Sequence, residues 1–155
     1  MISSQETSPV TIRDFLPGDE AAWRRLWDGY VAFYEADVSE QVTAATWRRL
    51  LADDSGMLGR IAACDGSVVG FSASVLHPGT WTLAPICYLE DLFVDPAARG
   101  RGIGAALIED LITLAKERGW SRLYWHTRAS NSPARRLYDR FAGADDFVRY
   151  RIFLD

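Results

Sequence analysis

The sequence predicts a single α/β domain of the α+β type, in which a mixed, mostly antiparallel sheet of six to seven strands is flanked by about four helices. The chain has 155 residues with 48% hydrophobic content, which suits one domain with a substantial core. Strand-like segments come first in hairpins and later alternate with helical segments, as in a sheet that is antiparallel early and partly parallel late. We expect a poorly ordered N-terminal tail over residues 1–8 and the domain over residues 9–155.

The first part of the chain predicts a strand and two helices. Apolar and polar residues alternate from Pro9 to Phe15, and Pro17-Gly18-Asp19 then ends this strand and begins a helix. A second short helix is predicted over residues 44–51, with Trp47 facing inward. The first helix has a broad aromatic and aliphatic face at spacings of three and four residues, formed by Trp23, Leu26, Trp27, Tyr30, Phe33 and Tyr34.

From residue 57 onward the patterns predict mainly strands. Asp65-Gly66 is a strong signal for a tight hairpin turn, because both residues tolerate the positive φ that such turns require. Pro133 suits the first turn of a helix, where its missing N–H costs nothing. The predicted elements are, in order, strands 57–64, 68–76 and 86–94, helix 105–119, strand 122–127, a helix opened by residues 131–133, and a last strand over 147–154.

The composition argues against several classes of function. The net charge is −4 and no block of like charges occurs, so nucleic-acid binding is not expected. No run approaches the roughly 20 apolar residues of a membrane span, and the N-terminus does not resemble a secretion signal, so we expect a cytoplasmic protein that does not contact membranes. The two cysteines and two histidines are not closely spaced, so no metal site is predicted.

Charge is distributed unevenly along the chain. Residues 14–54 contain nine acidic side chains and four arginines, whereas residues 99–136 contain eight basic side chains and three acidic ones. The second segment therefore suits a polyanionic ligand and the first suits a cation, although charges on amphipathic helices often do no more than face water.

The most informative motif is the loop Arg99–Ala105, with three glycines between a predicted strand and a predicted helix. The first N–H groups of a helix have no intrahelical partner and lie at its positive end, so this junction is an anion site. The loop also fits a loose dinucleotide-binding pattern, but no acidic residue follows at the end of the next strand, Trp125 to Arg128. A Walker loop is excluded because no lysine followed by serine or threonine closes it.

Two segments together resemble the GNAT superfamily of acetyl-CoA-dependent N-acetyltransferases. Arg99, Gly102 and Gly104 match its pyrophosphate motif, and a second segment, Asn131 to Tyr138, matches downstream. Asn131 and Tyr138 are two helical turns apart, so both can face one groove. The predicted order of elements is also that of the family. The resemblance implies a GNAT fold, coenzyme A as carrier of the acetyl group, and a homodimer, and it is greatest to the branch of diamine, polyamine, histone and D-amino-acid acetyltransferases.

The resemblance also implies roles for individual residues. Tyr138 is predicted to be the acid that protonates the departing thiolate, with a core tyrosine as the alternative. Glu90 is the candidate base or water-holder, or else a carboxylate paired with an arginine. Strand alternation places Glu90 on the opposite face from Asp91 unless a bulge intervenes. The predicted cofactor-binding residues are Leu92, Phe93, Val94, Arg99, Gly100, Arg101, Gly102, Ile103, Gly104, Ala105, Asn131 and Tyr138, and the predicted acceptor-binding residues are Tyr30, Tyr34, Glu35 and Glu90.

These patterns predict an enzyme that moves an acetyl group from acetyl-CoA directly to a primary amine. No nucleophile with an adjacent base is evident, which agrees with direct transfer. The preferred acceptor is a small cationic amine, such as a polyamine, an amino acid or an aminoglycoside. The alternatives are a protein acetyltransferase acting on a lysine or an N-terminus, and an acyl-CoA-binding module without catalytic activity.

Overall fold

The sheet of the domain is built from strands that are apolar enough to be covered on both faces. The computed structural model describes residues 9–154. The strands are β1 (Thr11–Asp14), β2 (Met57–Cys64), β3 (Ser67–His77), β4 (Ile86–Val94) and β5 (Arg122–Tyr124), adjacent in that order. All neighbouring pairs are antiparallel except β4 and β5, which are parallel. The predicted mixed, mostly antiparallel sheet is therefore confirmed, and the β2–β3 turn has the predicted positive φ at Asp65 and Gly66, 53° and 76°.

Four helices cover the two faces of this sheet, as expected. They are α1 (Glu20–Phe33), α2 (Glu40–Leu51), α3 (Ile103–Arg118) and α4 (Ser132–Tyr138), with two single 3₁₀ turns at Pro17–Asp19 and Pro96–Ala98. Local signals fix several helix ends. The Ser39 hydroxyl accepts a hydrogen bond from the Val42 N–H at the start of α2, and Gly119 ends α3 with a φ of 71°. No helix within the described residues is long and apolar enough to cross a membrane.

The core forms two layers, one on each side of the sheet. On the first side, Trp23, Trp27 and Trp47 of α1 and α2 pack on Phe71 and Phe93. On the other side, α3 packs against the sheet through the buried residues Ile103, Leu107, Ile108, Leu111 and Leu114. Arg60 of β2 connects the sheet to α3 on this face, because its guanidinium binds the Asp110 carboxylate of α3 through two contacts of 2.9 Å.

A β-bulge interrupts β4 near its centre. Ala73 of β3 pairs with Asp91 and Ser74 pairs with Leu89, so Glu90 is an extra residue without a partner on β3. The bulge changes which face each following side chain occupies. Leu89 and Leu92 both pack in the α3 layer, whereas Phe93 packs against the α1 layer. The bulge is the exception that the sequence analysis attached to the alternation of residues 88–93, and it breaks that alternation between Leu89 and Asp91.

The number of strands differs from the prediction. Within residues 9–154 the sheet has five strands instead of six to seven, because residues 147–154 do not pair with any strand. The predicted strand over 122–127 is also shorter and ends at Tyr124. A strand needs a neighbour for its backbone hydrogen bonds, and in the single chain the large apolar side chains of the terminal segment are exposed. The predicted tail over residues 1–8 lies outside the described residues.

Candidate active site

A cleft of about 670 Å³ opens between α1, α4 and the carboxyl end of β4. It brings together most of the residues predicted to bind cofactor or acceptor, although they come from three distant parts of the chain. The predicted residues that line it are Tyr30, Tyr34, Leu92, Phe93, Val94, Arg99, Gly100, Gly102, Ile103, Gly104, Ala105, Asn131 and Tyr138.

One end of the cleft is an anion site formed by backbone. Gly100 and Gly102 have φ values of 81° and 75°, which an L side chain rarely adopts, so the loop requires glycine there. Gly102 is the residue before α3 and has no side chain to cap it, so the N–H groups of the first turn of α3 remain available to a ligand. Arg99, Arg136 and Arg140 line the same cleft and add positive charge. This end is therefore suited to phosphate groups.

The other end of the cleft is aromatic, and one of its tyrosines contacts a carboxyl group. The rings of Tyr30 and Tyr34 contact each other at 5.1 Å between centroids, and Tyr30 also contacts Phe93 at 6.0 Å. The Tyr30 hydroxyl and the Asp91 carboxylate share a hydrogen bond, because the bulge turns Asp91 toward α1. The guanidinium carbon of Arg128 lies 5.8 Å from the centroid of the Tyr34 ring. The face of this ring is therefore in contact with a cation.

Asp91 has a perturbed acidity. Burial raises the pKa of Asp91 to about 6, the Glu90 charge adds to this rise, and the hydrogen bond with Tyr30 opposes it. Burial and the Asp91 charge raise the pKa of Tyr30, which therefore stays protonated and donates its hydroxyl hydrogen to the carboxylate. Asp91 is thus a carboxyl group that titrates near neutrality at the edge of the cleft.

Tyr138 lies on the α4 side of the cleft. Its ring packs against Trp125 at 5.6 Å, and burial raises its pKa, with a further contribution from Tyr34. The phenol consequently keeps its proton at neutral pH. The Asn131 carbonyl oxygen accepts a hydrogen bond from the Ala134 N–H at 3.4 Å, so Asn131 caps α4 and also lines the cleft.

Three predicted site residues do not line the cleft. The Arg101 guanidinium is 3.3 Å from the Cys64 sulfur, and Glu35 is exposed in the turn after α1 with a φ of 52°. Glu90 is the exposed residue of the bulge, and its charge acts on Asp91 and Tyr30.

Sequence reasoning missed several residues of the cleft. Asp91 does not line the cleft itself but contacts the lining residue Tyr30; it was expected on the opposite face from Glu90 unless a bulge intervened, and that bulge depends on pairing with β3. Arg136 belongs to the basic segment 99–136, so the sequence held a usable signal for it, whereas Arg140 lies outside that segment and follows the end of α4. The lining residues outside the prediction are Phe33, Ala98, Pro133, Ala134, Arg136, Leu137 and Arg140.

Comparison with known proteins identifies the family. The model of the Acetyltransferase (GNAT) family matches residues 21–144. The chain belongs to the GNAT family. It is an acetyl-CoA-dependent acetyltransferase, and the anion site before α3 fits the phosphate groups of this co-substrate.

Individual GNAT proteins are similar to this chain over nearly its whole length. A D-amino-acid N-acetyltransferase of Saccharomyces cerevisiae is 31% identical over 144 residues, which cover 92% of this chain and 89% of that protein. An aminoglycoside N(6')-acetyltransferase of Stenotrophomonas maltophilia is 30% identical over 150 residues, with 94% and 93% covered. The crystal structure of a ribosomal-protein-alanine N-acetyltransferase of Brucella melitensis superposes with a TM-score of 0.75 at 27% identity, with 94% of this chain and all of that chain covered.

Replacement of Gly102 tests the anion site. An L residue at a φ of 75° strains the backbone of this loop, and a Cβ added to Gly102 would occupy open space at the start of α3. We expect Gly102→Ala to weaken coenzyme A binding by about tenfold or more, equivalent to roughly 1.4 kcal/mol, in isothermal titration calorimetry.

Gly119→Ala is the matched control. Gly119 has a φ of 71° at the other end of the same helix, and no atom lies within 4 Å of its added Cβ. Both variants should lose similar thermal stability, but only Gly102→Ala should lose affinity. Equal affinities for coenzyme A in the two variants would contradict the assignment of the loop.

Proposed function

We propose that this GNAT enzyme acetylates the primary amine of a small cationic acceptor. The observation that carries the proposal is the aromatic end of the cleft, which Tyr30 and Tyr34 line and where the charges of Asp91 and Glu90 act on Tyr30. Aromatic faces and nearby carboxylates attract a cation through charge and through the ring quadrupole. The segment that contains α1 and α2 also has an excess of acidic residues, and their negative charge would attract the same cation. Relatives named for D-amino acids and aminoglycosides support a small acceptor.

The proposed reaction is a direct transfer. Acetyl-CoA supplies the acetyl group as a thioester. The amine nitrogen forms a bond to the carbonyl carbon, the carbon–sulfur bond breaks, and the sulfur leaves with its electron pair. The amine loses one proton and the sulfur gains one, so the two protein groups of interest are a proton acceptor and a proton donor. The N–H groups of residues 92–94 of β4 are proposed to hold the acyl carrier, because these residues line the cleft.

Tyr138 is the proposed donor. Its raised pKa keeps the phenol protonated at neutral pH, so the hydroxyl hydrogen is available to the thiolate as the carbon–sulfur bond breaks. Its position on α4 places it across the cleft from Tyr30 and Tyr34 of α1.

Asp91 and Glu90 are the two candidates for the proton acceptor. Asp91 is supported by its pKa of about 6 and by its hydrogen bond with Tyr30, which lines the cleft. An acceptor with this pKa is ionised at pH 7 and still basic enough to take a proton. Glu90 is exposed on the bulge and would act through water. We propose Asp91 as the acceptor and Glu90 as the neighbour whose charge raises the pKa of Asp91.

Release of free thiol from acetyl-CoA in the presence of an amine panel tests the function. The panel should contain polyamines, amino acids, aminoglycosides and a lysine-containing peptide, because GNAT structures similar to this one include a ribosomal-protein-alanine acetyltransferase. We expect turnover with one or more small cationic amines. Turnover with the peptide alone would favour a protein acceptor, and tight coenzyme A binding without any turnover would contradict an acetyltransferase activity.

Removal of the Tyr138 hydroxyl tests the donor. Tyr138→Phe preserves the ring that packs on Trp125, so the fold and the affinity for acetyl-CoA should be retained. We expect kcat to fall by about 10²-fold, the usual size of a general acid contribution, with an unchanged KM for acetyl-CoA. A parallel loss of kcat and of acetyl-CoA affinity would instead mean that Tyr138 has only a structural role.

The pH dependence of kcat distinguishes the two proton acceptors. If Asp91 must be ionised, kcat rises with pH through about 6 and is level above that value. Asp91→Asn should lower kcat and abolish this rise of kcat with pH, the acidic limb of the profile. Glu90→Gln should keep the limb but move it to lower pH, because loss of the Glu90 charge makes Asp91 easier to ionise. A limb that disappears in Glu90→Gln and persists in Asp91→Asn would assign the role to Glu90.

A further inference from the structure

Four aromatic side chains form a contiguous surface outside the cleft. They are His77 of β3, Tyr88 of β4, Tyr124 of β5 and His126, and we call them the aromatic shelf. The rings of Tyr88 and Tyr124 stack with 5.0 Å between centroids and 18° between planes, and the His126 ring lies 5.2 Å from that of Tyr88. His126 is exposed and the other three are partly exposed. The proposed reaction assigns no role to these residues, although open aromatic rings suit a flat or apolar ligand group.

Hydrogen bonds fix the orientation of the shelf. His77 Nδ1 lies 2.8 Å from the Pro78 carbonyl oxygen, which can only accept, so Nδ1 carries the proton. Nε2 of His77 is then unprotonated and accepts a hydrogen bond from the Tyr124 hydroxyl at 2.9 Å. At the other side of the shelf, the Tyr88 hydroxyl lies 3.3 Å from His126 Nδ1. The rings are thus held in place before a ligand binds, which lowers the entropic cost of binding.

The shelf lies on the side of the sheet that α1 covers. Leu123 and Trp125 pack in the α3 layer. Because side chains alternate along an extended chain, Tyr124 and His126 point to the opposite side, which is the α1 side.

The shelf also lies close to the aromatic end of the cleft. Tyr88 and Tyr124 are the last pair in the register of β4 with β5. Beyond this pair, β4 continues into the bulge at Glu90 and then to Asp91, which contacts Tyr30 of α1. A ligand group at Asp91 therefore has the shelf next to it along the same strand.

The shelf is exposed to charges of both signs. Burial raises the pKa of Tyr88, the Glu90 charge raises it further, and the Arg149 charge lowers it. The guanidinium carbon of Arg122 lies 5.7 Å from the centroid of the Tyr124 ring. Arg122 is exposed and forms no ion pair with any of residues 9–154. Its charge is therefore available to an anionic ligand group.

The spacing between these charges is longer than in an α-amino acid. Tyr124 pairs with Tyr88, and Glu90 follows Tyr88 by two residues. A strand rises ~3.3 Å per residue, so Glu90 lies roughly 7 Å along β4 from the level of the Tyr124 ring and the Arg122 guanidinium over it. The amine nitrogen and the carboxylate carbon of an α-amino acid are only about 2.5 Å apart. A ligand that reaches both charges must therefore carry its own charges at the two ends of a longer body.

We propose that the aromatic shelf binds the body of the acceptor, and that the acceptor carries a carboxylate roughly 7 Å from its amine. This inference rests on the proposed function and defines its acceptor more closely. The amine lies at Glu90 and Asp91, where the reaction requires it. An aromatic or apolar body stacks on Tyr88, and the carboxylate binds Arg122. A diamine of the same length would bring its second ammonium group to Arg122, so the shelf selects against it.

Three amines that differ in one group test the distal charge. Opposite the aminomethyl group of the same benzene ring, para-(aminomethyl)benzoate has a carboxylate, para-methylbenzylamine has a methyl group, and para-xylylenediamine has a second ammonium group. Thiol release from acetyl-CoA gives KM for each amine. We expect the lowest KM for the carboxylate, by about fivefold, which is the upper size of an exposed charge pair. A lower KM for either of the other amines would overturn the selection.

Replacement of Arg122 tests the residue that binds the carboxylate. Arg122→Gln should raise KM for para-(aminomethyl)benzoate about fivefold and leave KM for para-methylbenzylamine unchanged. Arg118→Gln is the matched control, because Arg118 is an exposed arginine in the last turn of α3, on the other side of the sheet. This control should change neither value. An equal change of KM for both amines in Arg122→Gln would refute the role of Arg122.

Replacement of the rings tests the shelf itself. Tyr88→Leu removes the stacking surface and should raise KM for all three amines to a similar extent. His126→Ala changes an exposed position and provides a second variant that keeps the core. Thermal unfolding and the affinity for coenzyme A show whether each variant is folded. Unchanged KM values in a folded Tyr88→Leu or His126→Ala would overturn the shelf as part of the acceptor site.

These measurements separate the inference from the proposed function. Turnover of all three amines with equal KM would leave the proposed function intact and overturn the inference. Absence of turnover with every amine would contradict the proposed function, and calorimetric titration of the coenzyme A complex with para-(aminomethyl)benzoate would then decide the inference. Binding that is weakened in Arg122→Gln and retained in Arg118→Gln would support it. Absence of binding, or equal binding in the two variants, would overturn it.

Discussion

The bulge at Glu90 is the constraint on which the rest of the site depends. One residue of β4 without a partner on β3 reverses the face of every side chain that follows. As a result, Leu89 and Leu92 both serve the α3 layer, and Asp91 and Phe93 both turn toward α1. A regular strand would place Asp91 among the leucines that pack against α3, where a carboxyl group would have no polar partner. The bulge therefore lets a single central strand complete two apolar layers and still present a carboxyl group to the cleft.

The two ends of the cleft use different physical means to attract opposite charges. At the start of α3 the attraction comes from backbone N–H groups. Their exposure depends on glycines with positive φ, and side chains contribute little to it. At the α1 end it comes from tyrosine rings and carboxyl groups, which need burial and accurate packing. Burial has a double effect here, because it raises the pKa of Asp91 toward neutrality and keeps the Tyr138 phenol protonated. In the proposed function, the proton acceptor is therefore a buried carboxyl group in contact with Tyr30, and the proton donor is a phenol that lines the same cleft as Tyr30.

The same sheet that builds the cleft ends in an unprotected edge. β5 has only three residues, and its outer side lies next to partly exposed aromatic residues of the α3 layer. The chain also carries an alternating segment with one wholly apolar face and leaves it in solvent. Tyr88 of β4 and Tyr124 of β5 stack on each other at this edge, with 5.0 Å between the ring centroids.

The sequence alone determined the features that depend on local chemistry. Glycine spacing located the anion site, hydrophobic periodicity located the four helices, and Asp65-Gly66 located the hairpin, because each signal acts over a few neighbouring residues. The alternation of residues 147–154 was also visible, but whether it becomes a strand depends on a neighbour that the single chain does not supply. The tertiary structure decided that Asp91 reaches Tyr30, that Arg101 turns to Cys64, and that Tyr138 faces α1. These outcomes depend on pairing and packing between residues far apart in the chain, and no local pattern encodes them.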